Sequence, residues 1–192
     1  MTDRDEGRRA LLLVDFQYDF LADDGRMPVA RNQVAPVLDA ARAELERASR
    51  DGDLVITVAN EFRPSAVVMN ILRRHAAIAG SPGTAWDPDL LVPDAPHVAK
   101  WKGDAFVNPV LEELLTSHRI RTVRLTGLKA NACITATAKS ALDAGYRVEL
   151  VAAAIACSSD RSRARALRRL ERRGAEIVRE AEESTRAVAG PS

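Results

Sequence analysis

The chain has few cysteines, no apolar run long enough to span a membrane and almost no net charge. Two cysteines in 192 residues make a disulfide framework an unexpected way to hold the fold. The 28 basic and 27 acidic residues leave a net charge of +1, so no overall positive field favours nucleic acid. The polar stretch 1–9 does not resemble a signal peptide. We therefore expect a cytoplasmic protein with neither a nucleic-acid partner nor a membrane partner.

The rest of the composition is that of a globular domain. With 46% hydrophobic residues, the chain is long enough to bury a sizeable core. No linker or internal repeat divides it. We therefore interpret residues 1–192 as a single domain, with a core over about 10–180 and loose termini, including a tail from about Glu182.

Apolar segments alternate with helical patterns along the chain. Predicted strands lie at 10–14, 54–59, 97–101, 120–126, 146–152 and 176–179, and predicted helices at 34–51, 65–79, 109–117, 133–144 and 160–173. This alternation predicts an α/β, Rossmann-like protein with three α/β/α layers and a mostly parallel six-stranded sheet. The last helix carries seven arginines, which we interpret as a solvent-facing surface.

Cys133 lies where a predicted strand gives way to a predicted helix. Gly127 ends the strand, and residues 134–144 are small and helix-tolerant. At a helix N-terminus, free backbone N–H groups and the positive end of the helix dipole favour an anion. We therefore predict a thiol that ionises easily and acts as a nucleophile. Cys157 also follows an apolar run, but no acid or base is evident near it, so we interpret it as a packing residue.

Two further candidates follow predicted strands. Asp15 comes directly after the first strand, and Lys100 lies near the end of the third. The carboxyl ends of parallel strands meet at one edge, so both are predicted to lie near Cys133. A carboxylate can take the thiol proton and return it to a leaving amine, and an ammonium can keep that carboxylate ionised. This set suffices for acyl transfer through a thioester, although the pattern alone leaves Lys102 as an alternative to Lys100.

Several side chains near these strand ends are candidates for the wall of a small pocket. The chain has only eight aromatic residues, and four of them fall in loops near the candidates. Two amide side chains, Gln17 and Asn131, can donate hydrogen bonds to a substrate, and a structural role in a turn is the alternative for both. Arg63 can meet an acidic substrate group or simply face solvent. The candidate substrate-binding residues are Gln17, Phe20, Phe62, Trp86, Phe106 and Asn131.

Four short motifs resemble those of the isochorismatase-like cysteine hydrolases. Asp15-Phe-Gln-Tyr-Asp-Phe20 resembles the family's Asp-x-Gln-x-Asp-Phe, and Gly80-Ser-Pro-Gly83 its Gly-Thr-x-Gly loop. Lys100-Trp-Lys-Gly-Asp-Ala-Phe106 resembles Lys-x-x-x-Ser-Ala-Phe, and Gly127-Leu-Lys-Ala-Asn-Ala-Cys133 resembles Gly-x-x-Thr-x-x-Cys. Each motif is weak alone, but the four in this order are quite specific.

The resemblance assigns roles to the candidates. It implies that Cys133 is the nucleophile, that Asp15 is the general base and acid, and that Lys100 is their electrostatic partner. It also implies a cis peptide bond before Lys129, with the N–H groups of Lys129 and Cys133 as the oxyanion hole. Because the family often forms dimers or tetramers, we expect a homodimer or homotetramer that acts on a small molecule.

The chain also departs from the family's pattern. Ala130 stands where the family usually has threonine, and Asp104 replaces a frequent serine. The nicotinamidase branch carries a metal-binding Asp-x-His after its second strand, where residues 59–62 here are Ala-Asn-Glu-Phe. The three histidines fit no ligand spacing. We therefore predict the amidohydrolase branch, with no metal, no cofactor and a substrate other than nicotinamide.

The sequence thus favours a metal-independent cysteine hydrolase that cleaves a C–N bond of a small amide, ureido or carbamoyl substrate through a thioester on Cys133. One alternative is a vinyl ether hydrolase of the isochorismatase type, with Asp15 as the acid and no role for the thiol. Another is a catalytically silent binding domain of the same fold. The presence of Cys133 favours the first, because vinyl ether hydrolysis does not need a thiol.

Overall fold

The computed structural model of the protein describes residues 8–179, which contain a six-stranded sheet. Every neighbouring pair of strands is parallel, and the spatial order is β3-β2-β1-β4-β5-β6. This confirms the predicted α/β class. The strands are β1 (Arg8–Val14), β2 (Leu54–Asn60), β3 (His97–Lys100), β4 (Ile120–Leu128), β5 (Arg147–Ala156) and β6 (Glu176–Val178).

Helices cover both faces of the sheet. They are α1 (Tyr18–Leu21), α2 (Arg31–Asp51), α3 (Val67–Leu72), α4 (Pro109–Ser117), α5 (Thr135–Asp143) and α6 (Asp160–Glu171). The apolar residues of β1 alternate between the faces, so Leu11 and Leu13 join the core under α2, whereas Leu12 joins the core under α4, α5 and α6. Within residues 8–179, none of the helices is both long and apolar enough to cross a membrane.

The order of the strands indicates where a ligand site lies, at the carboxyl ends of the central strands. The chain runs outward from β1 to β2 and β3, then returns to the other side of β1 as β4. In open parallel sheets, ligands bind beyond the carboxyl ends of the strands at such a reversal. Residues that follow β1, β2, β3 and β4 are therefore brought to a common edge.

The predicted helix over 65–79 is wrong in its extent. Only Val67–Leu72 is helical, because the chain turns at Arg74, His75 and Ala77, whose φ angles of 54°, 59° and 49° are incompatible with a right-handed helix. The predicted helix over 133–144 begins later, at Thr135, and is preceded by a π-helical turn at Ala130–Ile134. The predicted loose termini, including the tail from about Glu182, lie outside the described residues.

The six predicted strands are present, with small changes at their ends. The arginine-rich helix also presents a solvent-facing surface, as predicted. Six of the seven arginines between 161 and 173 are exposed. Arg163, the partly buried one, donates a hydrogen bond to the carbonyl oxygen of Ala152. The amphipathic pattern of α6 therefore serves packing on one side and solvent on the other.

Gly127 allows β4 to approach β1 closely. It has a φ of 126° and pairs in register with Val14, the residue before Asp15. A Cβ atom at this position would overlap the carbonyl oxygen of Val14. Only glycine therefore fits here, and its presence sets the spacing between the strands that precede Asp15 and Cys133.

We expect Gly127→Ala to lower the free energy of unfolding by about 3 kcal/mol or more, because it adds a backbone clash to an unfavourable φ angle. Urea denaturation followed by circular dichroism measures this loss. Gly145→Ala is the matched control, since Gly145 has a φ of 86° but no heavy atom within 4 Å of the place that a Cβ would take. The control should lose only about 1 kcal/mol of its free energy of unfolding. An equal loss in both variants would contradict the proposal that Gly127 is needed for the close approach of β4 to β1.

Candidate active site

The carboxyl ends of the strands bring Asp15, Lys100 and Cys133 together. Asp15 follows β1, Lys100 ends β3, and Cys133 lies in the π-helical turn after β4. Nζ of Lys100 lies 3.0 Å from Oδ2 of Asp15. Sγ of Cys133 lies 3.5 Å from Nδ2 of Asn60, whose amide also donates to the Asp15 carboxylate, and that carboxylate helps to raise the pKa of the thiol. The three residues that the sequence placed at one edge thus form a single buried cluster.

The ammonium of this cluster comes from Lys100 and not from Lys102. The Lys100 side chain is fully buried, and its Nζ also donates to Oδ1 of Asn60 at 2.7 Å. Lys102 is exposed, and only its carbonyl oxygen approaches Nζ of Lys100, at 3.4 Å. The tertiary structure therefore settles which of the two neighbouring lysines contacts the carboxylate.

Asn60, the last residue of β2, is a member of the cluster that the sequence pattern did not single out. Its Nδ2 donates to Oδ2 of Asp15 at 2.8 Å and lies 3.5 Å from Sγ of Cys133. Its backbone N–H donates to Oδ1 of Asp15 at 2.9 Å. One residue therefore orients the carboxylate, the ammonium and the thiol. The signal in the sequence was its position at the end of an apolar strand, close to the corresponding position of Asp15 after β1.

The backbone at Asp15 turns sharply as it leaves β1. Asp15 has a φ of 60°, and its N–H donates to the carbonyl oxygen of Val58 at 2.8 Å. Aspartate and asparagine tolerate this left-handed conformation better than most residues. Conformations of this kind are concentrated at functional sites, which supports a role for Asp15 beyond packing.

Burial and charge together set the protonation of the cluster. Burial raises the pKa of Asp15, against the opposing effect of the Lys100 ammonium. Burial acts to lower the pKa of Lys100, but the interaction of its ammonium with the Asp15 carboxylate, with a smaller contribution from Cys133, outweighs burial and raises that pKa. The ion pair and the two donors from Asn60 favour the ionised carboxylate, so the resting site holds a carboxylate and an ammonium.

The structure contradicts the prediction that the Cys133 thiol ionises easily. Burial, followed by the neighbouring Asp15 carboxylate, raises the pKa of Cys133 to about 11. The prediction assumed a helix N-terminus, whereas Cys133 lies inside a π-helical turn with 8% of its surface exposed. The cost of burying a thiolate therefore outweighs the favourable backbone, and the resting thiol is neutral.

The turn before Cys133 has the backbone that the resemblance implies. The peptide bond between Leu128 and Lys129 is cis. The carbonyl oxygen of Lys129 accepts hydrogen bonds from the N–H groups of Ala132 and Ile134 and so closes the turn. Lys129 and Cys133, whose N–H groups are the predicted oxyanion hole, both line the cavity beside the cluster.

A cavity of about 250 Å³ opens beside the cluster. Asp15, Asn60 and Cys133 form its polar side, so the thiol faces an open space. Pockets for drug-sized ligands usually measure about 300–1,000 Å³, so this one suits a smaller molecule. The apolar part of its wall consists of Phe20, Met27, Phe62, Leu128 and Ala132.

Of the four aromatic residues predicted to line the pocket, Phe20 and Phe62 do so and two do not. Trp86 lies edge-on to the ring of Phe16 at a centroid distance of 6.2 Å and lines a different cavity. Phe106 packs against the hydrophobic core beside Tyr146. Trp86 and Phe106 are therefore packing residues, which corrects the prediction that they contact the substrate.

The two predicted amides also lie outside the cavity wall. Gln17 is fully buried, and its Nε2 donates to the carbonyl oxygens of Asn60 at 3.0 Å and Thr84 at 3.2 Å, so it holds two loops together. Oδ1 of Asn131 accepts from Sγ of Cys157 at 3.2 Å. Both amides have structural partners, which corrects their assignment to substrate binding. Cys157 is fully buried, as expected of a packing residue.

The segment after β2 does not fit the metal site of the nicotinamidase branch. The side chain of Asn60 is committed to Asp15 and Lys100, and Glu61 lies 3.6 Å from Nε2 of His97. Among residues 8–179, no group of three or more histidine, cysteine, aspartate or glutamate side chains is arranged to hold a metal ion. The residues after β2 therefore serve the hydrogen-bonded cluster and do not form a metal site.

Comparison with known proteins agrees with this geometry. Streptothricin hydrolase from Streptomyces noursei is 33% identical over 145 residues, which are 74% of this chain and 47% of that protein. A second streptothricin hydrolase from the same organism is matched over 52% of its length, so the chain spans about half the length of the curated relatives it matches.

Solved structures share the fold over nearly their whole length. An isochorismatase-like hydrolase from Alkaliphilus metalliredigens superposes with a TM-score of 0.84 at 22% identity, over 94% of this chain and 98% of that one. N-carbamoylsarcosine amidase from Thermoplasma acidophilum superposes with a TM-score of 0.77 at 26% identity, over 90% of this chain and 96% of that one. The family model of the isochorismatase domain matches residues 9–182. The chain therefore belongs to the isochorismatase domain family.

Proposed function

We propose that the protein is a metal-independent hydrolase that cleaves a C–N bond of a small amide, ureido or carbamoyl substrate through a thioester on Cys133. The observation that carries this proposal is the buried cluster of the Cys133 thiol, the Asp15 carboxylate and the Lys100 ammonium, with 3.0 Å between the last two groups, beside a small cavity. The names of two relatives, streptothricin hydrolase and N-carbamoylsarcosine amidase, support hydrolysis of this kind.

In the first half of the reaction, Sγ of Cys133 attacks the carbonyl carbon while the thiol proton passes to Asp15. A C–S bond forms, and the carbonyl oxygen becomes an oxyanion that the N–H groups of Lys129 and Cys133 receive. The tetrahedral intermediate collapses as the C–N bond breaks. Asp15 delivers its proton to the leaving nitrogen, which departs as ammonia or an amine.

In the second half, water attacks the thioester carbonyl carbon while Asp15 takes a proton from it. The C–S bond breaks, the acid product leaves, and the proton returns to the sulfur. Asp15 is required in both halves: the resting thiol is neutral and must lose its proton in the first half, and the attacking water must lose a proton in the second. Lys100 favours the ionised state of Asp15, and Asn60 positions both groups.

The products distinguish this proposal from its alternatives. A panel of small amides and ureides is incubated with the protein, ammonia release is measured, and the intact protein is examined by mass spectrometry for an acyl group on Cys133. Ammonia together with the adduct supports the proposal. Release of pyruvate from isochorismate, with no role for the thiol, would favour the vinyl ether hydrolase. An absence of all products would favour a silent binding domain.

We also propose that this single domain acts in the cytoplasm as a homodimer or homotetramer. Both cysteines are free, and a thiol nucleophile stays reduced most readily in a reducing compartment. The apolar side chains of Val67, Val68 and Leu72 on α3 are between 61% and 71% exposed. Exposed apolar surface of this kind supports assembly with a second copy.

We expect kcat/KM to fall on the acid side as Asp15 becomes protonated, at a pH above the ordinary carboxyl pKa of 3.8, because burial raises the pKa of Asp15. Lys100→Met removes the positive charge that lowers this pKa, so the acid limb should move to higher pH by about one unit or more. A pH profile of kcat/KM measures the shift.

Lys102→Met is the matched control for this prediction, since Lys102 is exposed and two residues away. Its acid limb should coincide with that of the parent. A Lys100→Met limb that stays in place, or moves to lower pH, would show that Lys100 does not stabilise the ionised carboxylate.

A further inference from the structure

Two cationic side chains line the active cavity, and neither has an ion-pair partner within residues 8–179. They are Arg73 and Lys129. The carbon atom Cζ of Arg73 lies 4.0 Å from the centroid of the Phe62 ring. Nζ of Lys129 lies 5.9 Å from the centroid of the Phe20 ring. The positive charges are thus held against the two aromatic residues of the cavity wall.

The cavity offers these cations no compensating anion of its own. Asp15 is the one carboxylate among the described residues that line it, and Lys100 already contacts that carboxylate. Lys129 is partly buried, and burial lowers its pKa, with a smaller contribution from the nearby positive charge of Arg74. A partly desolvated ammonium beside further cations gains most from a ligand of negative charge.

The shape of the cavity limits what such a ligand can be. Its volume of about 250 Å³ admits only a small molecule, and the thiol occupies its polar side. Phe20 and Phe62, against which the two cations lie, belong to the apolar wall of the same cavity that the thiol faces. A short hydrocarbon spacer fits against these rings, whereas a second positive charge would be repelled.

We propose that the cavity selects substrates in which the scissile amide or ureido group is joined by a short apolar spacer to a carboxylate, and that Arg73 and Lys129 bind this carboxylate. This inference rests on the proposed C–N hydrolysis and names its substrate class. The guanidinium of Arg73 can bind a carboxylate through two parallel hydrogen bonds, and Lys129 adds a second charge. Substrates with a positive charge in place of the carboxylate are disfavoured.

Three ureas of nearly equal size test this selection. N-carbamoylglycine carries a carboxylate, N-propylurea is neutral, and N-(2-aminoethyl)urea carries an ammonium, while the carbamoyl group is the same in all three. We expect kcat/KM for ammonia release to be about tenfold higher for N-carbamoylglycine than for N-propylurea, which is the usual effect of a hydrogen bond to a charged group. The cationic urea should be the poorest substrate.

Variants of the two cations test which residues recognise the carboxylate of the substrate. Arg73→Gln and Lys129→Gln should each lower the ratio of kcat/KM between N-carbamoylglycine and N-propylurea towards one. Arg63→Gln is the matched control, because Arg63 lies over the ring of Trp101 at 5.2 Å and is not part of the cavity wall. It removes the same charge and should leave the ratio unchanged.

Calorimetric binding to Cys133→Ala separates this inference from the proposed hydrolysis. Tighter binding of N-carbamoylglycine than of N-propylurea, lost on adding Arg73→Gln, supports the charge selection even if the parent hydrolyses no urea. In that case only the proposed hydrolysis of ureas fails. Hydrolysis of all three ureas at similar kcat/KM would overturn the selection and leave the hydrolysis intact. A lack of both hydrolysis and binding would overturn both.

Discussion

Cys133→Ala should reduce release of ammonia or amine by at least about 10,000-fold, because the variant lacks the atom that forms the thioester. The fold should persist, since the change removes one sulfur atom from the edge of a cavity and leaves the backbone of the turn in place. Steady-state kinetics measure the loss, and circular dichroism with thermal unfolding verifies the fold.

Cys157→Ala is the matched control for this variant. Cys157 is the other free cysteine, and it is fully buried against Asn131 instead of facing the active cavity. Its replacement removes the same atom and should leave kcat within a few-fold of the parent, as about 1 kcal/mol of packing change has no direct effect on the reacting groups. Turnover by Cys133→Ala at the rate of the parent would show that the thiol is a bystander.

Asp15→Asn should lower kcat by about 100- to 10,000-fold, because the amide can neither take the thiol proton nor return it to the leaving nitrogen. Asparagine has nearly the same shape as aspartate and tolerates the φ of 60° that this position requires. The loss therefore reports on the proton and not on the backbone. Pre-steady-state kinetics should show that formation of the acyl group is itself slowed.

Asp15→Asn has a second consequence that a control must separate. It leaves the ammonium of Lys100 fully buried without its carboxylate, which should lower the free energy of unfolding by about 3–5 kcal/mol. Asp87→Asn is the comparison, since Asp87 lies outside the active cavity and accepts a hydrogen bond from the N–H of Asp89. It should retain normal kcat. A folded Asp15→Asn variant with the activity of the parent would exclude Asp15 as the base.

Asn60 determines how the three reactive groups of the site are oriented. The sequence identified a carboxylate, an ammonium and a thiol, but three such groups in contact do not by themselves define an orientation. The amide of Asn60 donates to Asp15, accepts from Lys100 and approaches Cys133, so it limits each group to one arrangement. In the nicotinamidase branch a metal-binding motif occupies this part of the chain, and here a hydrogen-bonding residue does.

Periodicity was sufficient to predict most of the fold. β1 was predicted from a continuous apolar segment, and α2 from apolar residues at helical spacing. Both patterns depend only on the order of apolar and polar residues, which the sequence gives directly. The segment after α3 was different. A helix was predicted over 65–79, but the apolar side chains at 67–72 are exposed, and the positive φ angles at Arg74 and His75 end the helix early.

The common position of Asp15, Lys100 and Cys133 at one edge follows from the amino-acid sequence, because the carboxyl ends of parallel strands coincide whatever the details of packing. Three other properties became visible in three dimensions: the Cys133 thiol is neutral, Trp86 packs away from the cavity, and two cations line the cavity. These properties depend on burial and on distances between groups far apart in the chain. Spacing along the sequence does not contain either quantity, since both arise only when the layers pack together.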